Sequence, residues 1–148
     1  KLFVQVPKHD EFAEILNRTG GAKAPEISSV ANGDEILQMS DLYKGVPIED
    51  EVQSYLVKVV LATHPENENA PDAVKKFVRH GSSPRGAQSI LAASRVRALL
   101  DGRYHVARED IDSVAVAALR HRIILSFEGE AEGQKPDSVL QDVIASAK

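Results

Sequence analysis

The clearest pattern along the chain lies between Glu49 and Thr63. Val52, Tyr55, Leu56, Val59, Val60 and Thr63 fall at i, i+3, i+4, i+7, i+8 and i+11, one stripe of an amphipathic helix over about 49–63. A second long helix is predicted over about 84–101, turning Ala87, Ile90, Leu91, Ser94 and Ala98 inward, with Gly102 ending it. A third, over about 108–121, carries its stripe on Ile111, Val114, Ala115, Ala118 and Leu119. Shorter helices are expected at four places: over 11–18, capped by Asp10, with Phe12, Ile15 and Leu16 on one face; over 34–43, stopped near Gly45 and Pro47; over 72–80, with Val74, Phe77 and Val78 inward; and from Asp137, with Val139, Val143 and Ile144 inward.

Little of the chain alternates with a period of two. "LFVQV" (2–6) reads as a short strand ended by Pro7. "YHV" (104–106) reads as a very short strand or a turn, and "IILSF" (123–127) fits either helix or extended chain by its period. "TGGAKAPEISSVANGDE" (19–35) is rich in Gly, Pro, Ser and Asn and reads as a linker. "THPENENAPD" (63–72) is a polar loop and "EGEAEGQKPD" (128–137) a flexible acidic one. No segment recurs at the spacing of a solenoid repeat. The expected fold class is all-α: a small helical bundle behind a short strand and a linker.

Composition narrows the class. With 148 residues, 43% hydrophobic and 27% charged, the chain is the size of one soluble globular domain. A net charge of -4 gives no global attraction to nucleic acid or to an anionic membrane. The chain has no cysteine, which excludes disulfides, thiolate zinc sites and cysteine nucleophiles and fits a reducing cytoplasm. No apolar run approaches the roughly 20 residues that span a bilayer. "KLFVQVP" is too short for the apolar stretch of a signal peptide. The chain starts without Met inside an apolar alternating segment, as a piece of a longer protein would, or one left by tag removal or processing.

Charge is unevenly placed. Arg79, Arg85, Arg95, Arg97 and Arg103 face a single acid, Asp101, across 79–103, whereas 128–148 is acidic. Phosphate machinery is missing: there is no G-x-x-x-x-G-K-[ST] loop and no apolar strand ending in paired acids for magnesium. Lys23 stands beside glycines but in no strand-to-helix frame. The five histidines form no i, i+4 pair and no H-E-x-x-H, so no metal site is expected. No G-x-S-x-G elbow surrounds a serine; Ser82 and Ser83 read as caps of the helix that follows, and Pro84 as its first residue. The alternative is a stand-alone helical interaction module or a DNA-binding helix-turn-helix over 72–80 and 84–101, with Gly81 in the turn and Arg95 and Arg97 on the second helix.

Arg85 is different in kind. It lies in the first turn of a helix, where the backbone N–H groups already carry partial positive charge. Its own helix repels it, yet an anion held there is attracted by both the N–H groups and the guanidinium. Phosphate is the natural anion, because Arg forks onto it bidentately. A solvent-exposed arginine in a loose ion pair remains equally open on these grounds. The arginines of "LRHRI" (119–123) fit a solvated helix end, where cations complement the negative pole.

"RHGSSPRGAQSILAASRVRALLDGRYHVAREDIDSVAVAALRHRIILSF" (79–127) closely resembles the C-terminal lid of the MoxR group of AAA+ ATPases. The shared pattern is G-[AS]-S-P-R-[AG], a long helix ending in a Gly-Arg turn, a "V…EDI" helix start, and "LRHR" before an apolar stretch. "GVPIEDEVQSYLVKVVLATHPENENAPDAVKKFV" (45–78) resembles the first lid helices with their T-x-P turn, and "KLFVQVPKHDEFAEILNRTGG" (1–21) the end of the ATPase core. The resemblance implies 1–20 as the end of the core, 21–47 as linker and short helix, and 48–148 as the lid. It implies that Arg85 is the sensor-2 arginine, reaching the γ-phosphate of ATP held by the core of the same subunit, with Gly81, Ser82, Ser83 and Pro84 shaping the helix start. It also implies ATP and Mg2+ as cofactors of the whole protein, a ring of subunits, usually six, von Willebrand factor A-domain partners and a chaperone-like role. The nucleotide loop, the magnesium-binding acids and the arginine finger belong to a core that this sequence lacks, so the chain alone is expected to be inactive and to bind no cofactor. Arg95 and Arg97 are expected to face solvent or a neighbouring subunit. Gly86 stands where the group more often has alanine, at an expected helix-propensity cost under about 1 kcal/mol.

Overall fold

The computed structural model describes residues 1–21 and 26–147. Among them the elements run α1 (His9–Thr19), α2 (Gly33–Lys44), α3 (Asp50–Leu61), α4 (Asp72–Phe77), β1 (Val78–His80), α5 (Pro84–Leu100), α6 (Arg108–Leu119), β2 (Ile124–Leu125), α7 (Phe127–Ala131) and α8 (Pro136–Ser146). The helical class is as expected. Two short strands accompany it, paired antiparallel with Val78 opposite Leu125 and His80 opposite Ile124.

The stripe of α3 is a core face. Tyr55, Leu56, Val59 and Val60 are buried, and Asp50 and Glu51 sit in the first turn, where acids complement the helix pole. α5 buries Gly86, Ile90, Ser94 and Ala98, one residue per turn, and α6 buries Ile111, Ala115 and Leu119. Small residues on that row of α5 let α6 lie close against it, while α3 and α2 flank it. Val74, Val78, Val139, Leu140 and Val143 complete one continuous core from α4, β1 and α8.

Local chemistry sets the element ends. Asn32 caps α2 by accepting from the Glu35 N–H at 2.9 Å, and the Glu35 carboxylate accepts from the Asn32 N–H at 2.8 Å. Ser126 caps α7 by accepting from the Gly129 N–H at 3.1 Å. α5 ends on Gly102, whose φ of +74° is the left-handed conformation glycine adopts at no steric cost. Its N–H donates to Leu99 O, and that of Arg103 to Ala98 O, closing the end of the helix.

Several expectations change. Residues 2–6 form no strand: a strand needs a partner for its backbone groups, and none of the described residues supplies one. α1 begins before Asp10, with Lys8 at the cap and Glu11 accepting from the Lys8 N–H, and its Phe12, Ile15 and Leu16 are exposed rather than packed. The helix expected over 72–80 stops at Phe77, because 78–80 turns extended to pair with 124–125. That pairing also resolves 123–127 as mainly extended. Residue 106 makes an isolated parallel bridge with Ile48. The loop expected over 128–137 contains α7. The linker reading of 19–35 falls partly, and Lys23 wholly, outside the described residues. None of the helices among the described residues is long and apolar enough to cross a membrane.

Candidate functional site

Arg85 is the second residue of α5, and the structure fixes its backbone from two sides. On one side is the end of α3. The Ser82 N–H donates to Thr63 Oγ1 at 2.9 Å, and the Thr63 hydroxyl donates to Val60 O at 2.6 Å. The His64 ring donates from Nε2 to Ser82 O at 3.0 Å. Thr63 and Ser82 are each only 1% exposed, so these bonds are shielded from water. Gly81 permits the approach: a Cβ there would stand 2.7 Å from both Thr63 O and the His64 ring.

On the other side is the end of α6. A Cβ at Gly86 would meet Ser82 Oγ at 2.1 Å and Leu119 Cδ2 at 2.9 Å. Glycine at 86 is therefore a packing requirement at this corner rather than only a helix-propensity cost. One turn further, the Ser89 hydroxyl donates to Arg85 O at 2.8 Å and accepts from Arg122 Nη2 at 2.9 Å. Arg122 also donates from Nε to Ala118 O at 3.1 Å. The "SPR" and "LRHR" segments, 34 residues apart at Arg85 and Leu119, thus meet at the start of one helix.

The Arg85 side chain is exposed, and its guanidinium has no hydrogen-bond or ion-pair partner among the described residues. Pro84 opens α5 as expected, where its missing N–H costs nothing. The capping expected of Ser82 and Ser83 is not made. Ser83 holds the cap position in extended backbone without a side-chain bond, and Ser82 is buried against the α3 end instead. The positive pole of α5 therefore carries no capping side chain beside an unpartnered cation.

The far end of α5 is built differently. Arg103 forks onto Asp110, with Nη1 to Oδ2 at 2.8 Å and Nη2 to Oδ1 at 2.6 Å. Asp110 also accepts from the Ala107 N–H at 2.8 Å and is 2% exposed. The Arg103 guanidinium holds the Asp110 carboxyl below the usual carboxylate range, and the carboxylate raises Arg103 in turn.

Other singled-out residues are scattered. Arg97 is exposed and pairs loosely with Asp101 at 3.5 Å. Arg95 is half-buried, against the expectation that it faces solvent, and its Nε lacks a partner among the described residues. Arg120 and Arg122 are not solvated helix-end cations: Arg120 pairs with Asp137 at 2.9 Å and Arg122 braces Ser89. The helix-turn-helix arrangement is not formed, since β1 stands between the six-residue α4 and α5. No three His, Asp or Glu among the described residues gather as metal ligands. Sequence reasoning missed the roles of Thr63, His64 and Gly86; the T-x-P turn marked the place of the first two.

Residues 71–143 match the family model described as the AAA lid domain. The chain is 30% identical over 144 residues to "Chaperone MoxR1" of Mycobacterium tuberculosis, covering 97% of the chain and 38% of that protein. It is 31% identical over 90 residues to "Protein MoxR" of Methylorubrum extorquens, covering 58% of the chain and 26% of that protein. A crystal structure of a candidate ATPase from Cytophaga hutchinsonii superposes with a TM-score of 0.85 at 24% identity, over 97% of the chain and 44% of the other, which shows a shared fold. The chain spans less than half the length of each.

Proposed function

This chain is a lid of the MoxR type of AAA+ ATPase, and from that premise we propose that it senses nucleotide through Arg85. One observation carries the reading: a guanidinium without a partner among the described residues, on a backbone held from two sides, at an uncapped helix start. A bound ATP supplies a γ-phosphate, with three anionic oxygens, that ADP lacks. Arg85 forks onto such a group bidentately. Because Arg85 then binds one nucleotide state better than the other, the position of the lid becomes linked to that state. At Pro84, the residue before Arg85, a hollow of Val57, Leu61 and Ala87, with His64 and Ser82 also in its wall, is open to the uncharged part of a nucleotide. No residue of this lid is assigned to magnesium.

In this reading 1–20 ends the ATPase core, 21–47 links, and 48–148 forms the lid. The whole protein binds ATP and Mg2+ in its core and works in the cytoplasm as a ring, a hexamer by resemblance. Its chaperone-like action involves proteins with a von Willebrand factor A domain. Arg97, exposed further along the same helix, is open to a neighbouring subunit, whereas Arg95 is half-buried. Replacing Arg85 by Ala in the whole protein is expected to leave folding intact and to slow ATP turnover by at least about tenfold, the worth of one charged hydrogen-bonding group. Unchanged turnover in a folded Arg85→Ala protein would rule the sensor role out.

A further inference from the structure

A long flexible side chain discriminates between ligands only if its root is held still. Arg85 has no side-chain partner among the described residues to hold it, so its direction is set by the backbone of Ser82–Gly86. Among the described residues, that backbone has one polar anchor outside its own helix and the α6 end: the T-x-P turn that follows α3. Two side chains of that turn hold one residue. Thr63 Oγ1 accepts the Ser82 N–H at 2.9 Å, and His64 Nε2 donates to Ser82 O at 3.0 Å. Both polar groups of a single peptide residue are thereby fixed from α3, three positions before Arg85.

The two bonds are not general core packing. Thr63 has already satisfied its own donor on Val60 O at 2.6 Å, so the lone pair offered to Ser82 serves the turn alone. Ser82 is wedged in place, since its Oγ fills the space that a Cβ at Gly86 would need. Rotating Ser82 therefore moves the first turn of α5, and the root of Arg85 with it. Hydrogen bonds shielded from water hold such an orientation more tightly than exposed ones.

We propose that Thr63 and His64 are positioning residues for Arg85: through Ser82 they make the end of α3 the fixed support from which Arg85 is aimed at phosphate. The proposal rests on the sensor reading of Arg85. It adds that α3, which itself carries no phosphate ligand, sets how well the lid distinguishes a triphosphate from a diphosphate.

A double-mutant cycle in the whole protein tests it, read as the ratio of ADP to ATP dissociation constants. Thr63→Val is expected to cut the preference for ATP by roughly five- to tenfold, the worth of a lost buried hydrogen bond. The same change in an Arg85→Ala background should alter the ratio less than about twofold, because nothing is left to aim. Thr63→Ser should restore the preference. In the chain itself, the Ser82 amide should exchange faster in Thr63→Val and stay protected in Thr63→Ser, while core amides of α6 keep their protection. If Thr63→Val melts below the assay temperature, His64→Ala breaks the second bond at a half-buried position and must show the same dependence on Arg85. An equal loss in both backgrounds, or a folded variant with full ATP preference, overturns the positioning role while Arg85→Ala still shows its own effect. An Arg85→Ala protein with an unchanged ratio instead overturns the sensor reading, and the positioning role falls with it.

Discussion

The two ends of α5 each present an arginine, and the two are handled in opposite ways. At the C-terminal end Arg103 is closed off: Asp110 meets it with both oxygens and sits almost wholly buried. At the N-terminal end the backbone is the restrained part, through Ser82, Gly86 and Ser89, while the guanidinium of Arg85 is open. An arginine whose charge is answered inside the domain serves the fold. One whose root is fixed and whose charge is unanswered suits a ligand brought from outside. Both lie in the stretch that resembles a MoxR lid, so membership of a motif does not by itself separate the two roles.

The largest effect is expected from opening the closed end. Asp110→Ala removes three accepted hydrogen bonds and leaves Arg103 without its main partner. The loss should be about 2–3 kcal/mol in urea denaturation of the chain, toward the low side for such a pair because Arg103 is about a third exposed and screened by water. A loss as small as that of a surface substitution would show that the contrast between the ends is not energetic.

Next comes the restraint at the open end. Gly86→Ala places a Cβ 2.1 Å from Ser82 Oγ and should cost about 1–2 kcal/mol by overpacking, where an unobstructed helix position would gain stability. Adding Ser82→Ala removes the nearest clash and should recover part of that loss, although Leu119 Cδ2 remains close. A Gly86→Ala chain as stable as the parent would mean that the start of α5 is not gripped.

A pH titration separates the ends without altering the open one. The Arg103 guanidinium holds the carboxyl of Asp110 below the usual carboxylate range in the folded chain. A depressed folded pKa contributes stability that is present above the unfolded pKa and lost as pH falls through the folded one. This contribution should therefore hold at neutral pH and decline below about pH 4. In Asp110→Asn that part of the acid-side decline should be missing from denaturation midpoints measured between neutral pH and pH 3. The smallest effect belongs to Arg85→Ala, whose stability should differ from the parent by less than about 0.5 kcal/mol, as for an exposed residue without partners.

The stripe of α3 was legible because five of its six positions, Tyr55, Leu56, Val59, Val60 and Thr63, are buried, and Arg85 was legible because a cation at a helix start conflicts with the pole. The strands were not. Three residues at 78–80 pair with two at 124–125 across the length of α5 and α6, and such short segments carry no readable period. Phe12, Ile15 and Leu16 have the spacing of an inward face, yet all three stay exposed in the structure. Gly86 looked like a weak helix residue because a close approach depends on where Ser82 and Leu119 arrive. The roles of Thr63 and His64 depend on a turn 18 residues away from His64, at Ser82, and no local spacing reports it.

The most direct test of the account is a side-by-side titration of ATP and ADP against the whole protein and its Arg85→Ala variant. The unanswered charge at the start of α5 predicts that ATP binding weakens by about tenfold or more, while ADP binding and the melting temperature stay near those of the parent. Equal weakening of both nucleotides, or of neither, would contradict it.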